Sequence, residues 1–175
     1  MPALNPVWKR RLMIGIPVLL IAIQLIPVDR SNPPVETEAP VPAELREVLV
    51  ESCWDCHSNE TTWPWYSYVA PVSWFVADHV HEGREELNFS AWNNYDEERA
   101  LHKIEEMWEH VEEGDMPLKS YLILHGGARL TDEDRAAIQQ WTSLMIGEGE
   151  ASGSGDQEDE HEDEDDDEHT DGSGL

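Results

Sequence analysis

The feature that most constrains this chain is the run Cys53–His57, which reads CWDCH and contains both cysteines among the 175 residues. Three chemistries use two thiols at this spacing. A C-x-x-C-H run attaches c-type haem, because the thiols add to the two vinyl groups and the adjacent imidazole binds iron. A thioredoxin-like dithiol needs a βαβ neighbourhood, and a zinc site needs about two further Cys or His ligands. The sequence offers no matching second pair of ligands, which favours haem.

An uncharged apolar run, Leu12–Val28, follows the basic residues Lys9, Arg10 and Arg11. Its length falls at the short end of the range for a transmembrane helix. The positive-inside rule places the N-terminus in the cytoplasm. A cleaved signal peptide is the alternative, although no small-x-small cleavage site closes the run. The sequence therefore predicts a single-pass anchor in the bacterial cytoplasmic (inner) membrane, with the haem domain facing the periplasm or exterior. In that oxidising compartment an unoccupied thiol pair could instead form a disulfide.

Composition divides the chain into four parts. Residues 1–28 are predicted as the cytoplasmic N-terminus and transmembrane anchor, and the proline-rich residues 29–42 as an extended tether. Residues 43–146 are predicted as the haem-binding domain. Residues 147–175 form an acidic tail with almost no apolar content, which predicts disorder. The formal net charge of −27 makes nucleic acid a poor partner.

Apolar residues at helical spacing predict four helices in the third part. They are marked by Leu45, Val48 and Leu49; by Val72, Phe75, Val76 and Val80, from Pro71 to Gly83; by Leu101, Ile104, Trp108 and Val111, as far as Gly114; and by Ile138, Trp141 and Met145, after a Thr131–Asp134 capping box. No stretch alternates for long enough to suggest a sheet, so the predicted fold class is all-α, a cytochrome-c-like helical domain around one haem. Long loops are expected over residues 58–70 and 115–130.

Met116 is the first candidate for a second protein ligand on the iron. It lies in a loop after a predicted helix end, and Pro117 stiffens that loop and has no N–H. A thioether ligand would raise the reduction potential, which suits electron transfer. The competing interpretation is a methionine that packs on the core, and Met107 and Met145, inside predicted helices, fit that description.

Histidines are the alternatives to a thioether. His125, in the loop near Met116, is the first, and His79, on the apolar face of the second helix, is the next. His102 and His110 fall on the polar side of the third helix, where we expect them to be solvated. An iron with no second protein ligand is the remaining possibility.

Two blocks of the sequence resemble a family of bacterial haem-binding domains, which are membrane-anchored, cytochrome-c-like proteins with a single C-x-x-C-H. The blocks read CWDCHSNETTWPWYSYVAPVSWFVADHVHEGREELNFSAW and MPLKSYLILHGGARLTDEDRAAIQQW, and the resemblance covers residues 43–146 and the anchor. It implies one covalent haem c on Cys53 and Cys56, with His57 as the proximal axial ligand. It marks signature positions whose chemical role it does not assign: Thr62, Trp63, Pro64, Trp65, Gly83, Arg84, Asn88, Phe89, Ser90 and Trp92. Gly126 departs from the family's pattern, which has proline there.

These inferences lead to one leading function and three alternatives. The leading function is covalent haem c binding and single-electron transfer at the outer face of the cytoplasmic membrane, without enzymatic activity. Its predicted partners are redox proteins and, through the N-terminal helix, the membrane. The alternatives are a haem-based sensor with a labile sixth ligand, a peroxidase-like enzyme, for which no distal acid–base pair is evident, and a haem-free thiol-disulfide protein.

Overall fold

The computed structural model describes residues 5–153, and over that range the fold is all-α, as the sequence predicts. The α-helices are α1 (Pro6–Ile23), α2 (Ala43–Ser52), α3 (Trp54–His57), α4 (Val72–Glu86), α5 (Glu97–Glu113), α6 (Lys119–Leu122) and α7 (Asp132–Gly153). Short 3₁₀ helices lie at Trp65–Tyr68, Trp92–Asn94 and Gly126–Ala128. Within the described residues there is no strand, only one parallel bridge between Thr37 and Ala91. α7 runs past residue 146, and the remainder of the predicted acidic tail lies outside the described residues.

The predicted membrane anchor is wrong. α1 ends at Ile23, so only the first 12 residues of the apolar run Leu12–Val28 are helical. At about 1.5 Å per residue, that apolar part is about 18 Å long, against a hydrocarbon core of about 30 Å. The first half of α1 carries three basic residues, and no helix in the described part of the chain is long and apolar enough to cross a membrane. The predicted inner-membrane localisation, with the domain facing the periplasm, is overturned by the same finding.

Residues 29–42, which we call the tether segment, have no helix but are bonded along their length to the helical body. The backbone N–H of Glu36 donates to Ser90 O at 2.9 Å, and that of Ala39 donates to Phe89 O at 2.8 Å. Ala39 is buried in the core. The sequence predicts an extended tether here, and the structure adds that this segment is bonded to the body. The difference arises because an extended segment leaves its backbone groups unpaired, and the carbonyls of residues 89 and 90 accept from them.

Three predicted helices form where their caps and apolar spacing indicate. α2 leads directly into Cys53, and α5 ends at Gly114, whose φ of +76° closes the helix in the left-handed region. α7 begins with the predicted capping box: Thr131 Oγ1 accepts from Asp134 N, and Asp134 Oδ2 accepts from Thr131 N. These signals are local in sequence, which is why they could be recognised without the fold.

The predicted second helix forms as α4, but the first half of its predicted inner face and its predicted end are wrong. Val72 and Phe75 are exposed by 44% and 51%, whereas Val80 is buried. The helix continues to Glu86 instead of ending at Gly83, which is buried within it. Apolar spacing alone could not show that a glycine of α4 lies against the backbone of Cys56.

The core forms around α2, which packs against both α3 and α7. α4 packs on α3, and α5 packs on α7, so α2 joins two pairs of helices. Trp54 and Phe89 stack with their ring centroids 4.9 Å apart and 3° between their planes. The largest fully buried side chains are Phe89, Leu49, Ile104, Ile138 and Val111. The space left between the two pairs of helices is the cavity described next.

Candidate cofactor site

A cavity of about 330 Å³, the main cavity, lies between the two pairs of helices. One side of it, the cysteine side, is formed by α3 and α4 and includes Cys53, Cys56 and His57. The other side, the methionine side, includes α5 and the segment of residues 114–125. This segment contributes Met116. Small-molecule and cofactor sites have volumes of about 300–1,000 Å³, so the main cavity is large enough for a ligand.

Both cysteine thiols are free and partly buried in the wall of the main cavity. Burial raises the pKa of Cys53 to about 12, and the neighbouring Cys56 contributes in the same direction. The pKa of Cys56 is raised to about 11. Burial is the larger cause, and the negative charge of Asp55 is the second. The thiols are therefore protonated at neutral pH.

His57 is held by bonds on both its backbone and its ring. Its carbonyl accepts from Phe89 N at 2.8 Å, and its Nδ1 lies 3.1 Å from the carbonyl oxygen of Leu87. A carbonyl only accepts, so the neutral ring carries its proton on Nδ1 and leaves the Nε2 lone pair free. Burial lowers the pKa of His57 below its ordinary value, which favours that neutral form. A neutral imidazole oriented by a backbone carbonyl is the usual arrangement of a metal-ligating histidine.

Gly83 lets α4 approach the cysteine side closely. A Cβ at this position would lie 2.7 Å from the carbonyl oxygen of Cys56, closer than such atoms come in folded proteins. The contact is with backbone, which cannot swing aside as a side chain can. This close approach explains why glycine occurs at one of the signature positions.

The loop after His57 is held by a network of other signature residues. Arg84 Nε donates to Ser58 O at 2.8 Å, and its terminal nitrogens donate to Ser31 O, Asn32 Oδ1 and Thr61 Oγ1 at 3.0, 2.9 and 2.8 Å. A second part of the network joins Asn88, Asn59 and Ser90 through side-chain hydrogen bonds of 2.9 and 3.0 Å. The resemblance assigns no role to Arg84, Asn88 and Ser90, and the structure shows that they hold the chain that leaves the C-x-x-C-H run.

Of the three residues predicted as a second iron ligand, two line the main cavity and one does not. Met116 and His79 line it, whereas His125 is absent from its lining. The His125 ring stacks on Tyr121, with centroids 4.0 Å apart, and its Nδ1 lies 3.1 Å from Tyr121 O. His79 is turned toward Phe75, with its Nδ1 2.9 Å from that residue's carbonyl oxygen.

Met107 and His110, which are predicted to pack on the core and to be solvated, also line the main cavity. His110 is exposed, as predicted, and it contributes at the rim. Met107 and Met116 are also partly buried against the hydrophobic core, so packing and cavity lining coincide for both thioethers. The signal that could have found Met107 is its position three residues before His110 and four before the buried Val111, on one face of α5.

Met116 has a fixed backbone position. Its N–H donates to the carbonyl oxygen of His110 at 3.0 Å, across the end of α5, and Pro117 after it is buried. The αL conformation of Gly114 reverses the chain so that this bond can form. The thioether is therefore presented at the cavity from a turn rather than from the middle of a helix.

Asp55, between the two cysteines, forms a contact that the sequence analysis missed. Its Oδ2 accepts from the hydroxyl of Tyr121 at 3.0 Å, and its Oδ1 accepts from Thr62 N at 2.9 Å. Burial, followed by the charge of Asp55, raises the pKa of Tyr121 far above its ordinary value, so the hydroxyl stays protonated and donates. No signal within the sequence links residues 55 and 121, because they are far apart along the chain.

The zinc interpretation of the cysteines finds no ligand set. Among the described residues, the side-chain groups close enough to hold an ion are Asp78 with His79 and Glu82, and His110 with Glu113 and Asp115. Neither group contains a cysteine. Two thiols, an oriented neutral imidazole and nearby thioethers in one cavity instead match the groups that attach and ligate haem. The residues present therefore fit that cofactor.

Comparison with known proteins gives one match. The family model described as a haem-binding domain matches residues 18–144, which is more than two thirds of the chain. No curated protein and no solved structure matches the chain. The matched range begins inside α1 and ends inside α7, so it contains the tether segment and every residue that lines the main cavity.

Proposed function

Because this chain belongs to the haem-binding domain family, we propose that it binds one haem c covalently and passes single electrons between redox partner proteins, without catalysing a reaction. Cys53 and Cys56 would hold the cofactor through thioether bonds. His57 and Met116 would be its axial ligands. When bound, haem supplies the one-electron couple of its iron.

One observation carries this proposal: both thiols and the imidazole of the C-x-x-C-H run line the same cavity. The Nδ1 contact of His57 with Leu87 O leaves Nε2 as the nitrogen able to bind iron. The proposal depends on the geometry of the cysteine side.

The raised thiol pKa values count against the thiol-disulfide alternative. Exchange needs a thiolate as the attacking group, and reactive cysteines have lowered pKa values. The pKa of Cys53 is about 12 and that of Cys56 about 11, so neither thiol is ionised to a useful extent at neutral pH. Attachment to haem does not meet this objection, because addition of each thiol to a vinyl group gives a thioether.

Covalent attachment can be tested by extracting the haem. Protein produced with c-type haem maturation enzymes should keep its colour through denaturation and acid–acetone extraction, and the reduced protein should show a visible spectrum of c-type haem. The double variant Cys53→Ala, Cys56→Ala should release any haem that it binds. If the double variant retains haem as firmly as the native protein, the thioether proposal is wrong.

The axial ligand can be tested with two methionines that line the same cavity. Met116→Ala should change the low-spin spectrum of the oxidised protein, lower the reduction potential and open the iron to CO or cyanide. Met107→Ala is the matched control, because it removes the same side chain from the same wall and should leave the spectrum unchanged. If only Met107→Ala loses the native spectrum, the axial ligand is Met107 on α5 and the assignment of Met116 is wrong. Ready binding of CO by the native protein would favour the sensor alternative.

A further inference from the structure

On the methionine side of the main cavity, the segment of residues 114–125 has few buried residues to hold it against the rest of the fold. α6 is only four residues long and has no buried residue, and Ile123 and Leu124 after it are exposed by 80% and 62%. Within residues 114–125 only Pro117 is buried, so burial fixes this segment less than it fixes the long helices. The segment has to be positioned by individual contacts at Met116, Tyr121 and His125.

The Tyr121 hydroxyl provides the contact between this segment and the cysteine side. It donates to Asp55 Oδ2 at 3.0 Å, and Asp55 stands between the two cysteines. Asp55 is itself fixed, because Thr62 N donates to its Oδ1 at 2.9 Å and Thr61 Oγ1 donates to its carbonyl at 2.7 Å. A hydrogen bond to a carboxylate is stronger than one between neutral groups.

The remaining contacts of the segment do not duplicate this bond. Met116 N bonds back to His110 O, which joins the segment to α5 and not to the cysteine side. The hydroxyl of Tyr66 lies 3.4–3.5 Å from the ring nitrogens of His125, at the limit of a hydrogen bond. Tyr121 lines the main cavity, while Tyr66 lines only a smaller neighbouring cavity of about 130 Å³.

We propose that Tyr121 is a positioning residue: its hydrogen bond to Asp55 holds the methionine side against the cysteine side and so keeps Met116 on the iron. This inference rests on the proposed function, since it concerns the ligand assigned there. It adds that Asp55, one of the two residues between the cysteines, controls how often the opposite ligand leaves. Loss of the Tyr121 hydroxyl would let the segment open while His57 and both thioethers stay in place.

The test follows the binding of imidazole to the oxidised, haem-loaded protein by visible absorbance. Imidazole can bind only when the sixth position is vacant, so its rate reports how often the segment opens. Tyr121→Phe keeps the ring that stacks on His125 and removes only the hydroxyl. We expect it to bind imidazole about ten- to a hundredfold faster than the native protein, given the usual strength of a hydrogen bond to a charged group.

Tyr66→Phe is the matched control, because it removes a hydroxyl beside the same His125 ring without touching Asp55. It should bind imidazole at the native rate. Asp55→Asn weakens the same bond and should give an intermediate rate. The double variant Asp55→Asn, Tyr121→Phe should be no faster than Tyr121→Phe alone, because both changes act on one bond.

Hydrogen exchange gives a second readout that does not depend on the sixth ligand. In the haem-loaded Tyr121→Phe protein, the amides of residues 118–125 should exchange faster, while those of α2 and α7 should be unchanged. Faster exchange throughout the protein would indicate general destabilisation and overturn the positioning role.

Three outcomes separate this inference from the proposed function. If Met116→Ala binds imidazole rapidly and Tyr121→Phe behaves as the native protein does, the positioning role is wrong and the proposed ligand stands. If Tyr66→Phe accelerates binding as much as Tyr121→Phe, the bond to Asp55 is not the cause. If Met116→Ala is indistinguishable from the native protein, the proposed ligand is wrong, and the role of Tyr121 is wrong with it.

Discussion

On the cysteine side of the main cavity, backbone contacts hold Cys56 and His57, and the hydrogen bonds of Arg84 hold the loop after them, whereas Met116 on the methionine side has a backbone bond to α5 and its segment meets the cysteine side through the Tyr121 side chain. His57 is bonded through its own carbonyl and through the carbonyl of Leu87, and α4 presses on Cys56 through Gly83. Met116 is followed by a four-residue helix that buries nothing. The hydrogen bond from the Tyr121 hydroxyl to Asp55 joins the two sides, between residues that are far apart in sequence.

This difference suits the chemistry proposed for each side. A covalently attached cofactor needs thiols and an imidazole at fixed spacing, and backbone bonds supply that rigidity. An axial thioether has only to meet the iron from a turn, and its retention can be adjusted through a single side-chain contact. Changes on the cysteine side should therefore affect the stability of the whole fold, and changes on the methionine side should mainly affect ligand exchange.

The largest effect is expected from Arg84→Ala. This substitution removes four hydrogen bonds that join α4 to the tether segment and to the loop after His57. We expect the free energy of unfolding to fall by about 3 kcal/mol, because partly buried acceptors lose a charged donor. Urea denaturation of the native and variant proteins measures the loss.

Arg84→Lys and Arg99→Ala provide the controls for that change. Lysine keeps the charge but lacks the planar fork, so it should recover only part of the stability. Arg99 is exposed on α5, and its replacement should cost less than about 0.5 kcal/mol. Equal losses for Arg84→Ala and Arg99→Ala would show that the cysteine side is not specially fixed.

A smaller effect is expected from Gly83→Ala. Its new Cβ would meet Cys56 O at 2.7 Å, so α4 and α3 must separate. The overpacking should cost about 1–2 kcal/mol, although alanine has the higher helix propensity. Gly147→Ala in α7 is the matched control, since nothing lies within 4 Å of its Cβ position, and it should be neutral or stabilising. If Gly83→Ala is as stable as Gly147→Ala, the close approach of α4 is not required.

The smallest effect is expected from Lys103→Met at the rim of the main cavity. Lys103 lies 2.9 Å from Glu106 on its own helix and 3.6 Å from Glu86 on α4. Its hydrogen bond lowers the pKa of Glu106 below the ordinary value of 4.5. Because the Glu86 side chain is 78% exposed and that of Glu106 40% exposed, solvent screens both pairs, and the substitution should cost less than about 1 kcal/mol at neutral pH.

The pH dependence of that effect follows from the direction of the shift. A carboxyl with a lowered pKa in the folded state stabilises the protein above its unfolded pKa and loses this contribution as pH falls through the folded value. The native protein and Lys103→Met should therefore converge in stability below about pH 4.5. They should also converge in high salt, which screens exposed charges. A difference that persists at low pH would assign the effect to packing of the lysine stem instead.

The fold and the site differ in how far sequence could predict them. α5 and α7 could be assigned from local caps and apolar periodicity, because Gly114 and the Thr131–Asp134 pair act within one turn of helix. The inner face of α4 could not, since Val72 and Phe75 have helical spacing without a core to cover them. The prediction of a membrane anchor is wrong because the hydropathy of the sequence does not show that α1 ends at Ile23.

The sequence by itself determined the all-α class and the closeness of the two thiols and the imidazole. The spacing of Cys53, Cys56 and His57 is a property of five adjacent residues, and adjacent residues are close in any fold. Tertiary structure alone brought Met107 to the cavity, kept His125 out of it and joined Tyr121 to Asp55. Contacts between residues far apart in sequence depend on how whole helices pack, and packing is decided by the shape of the complete core.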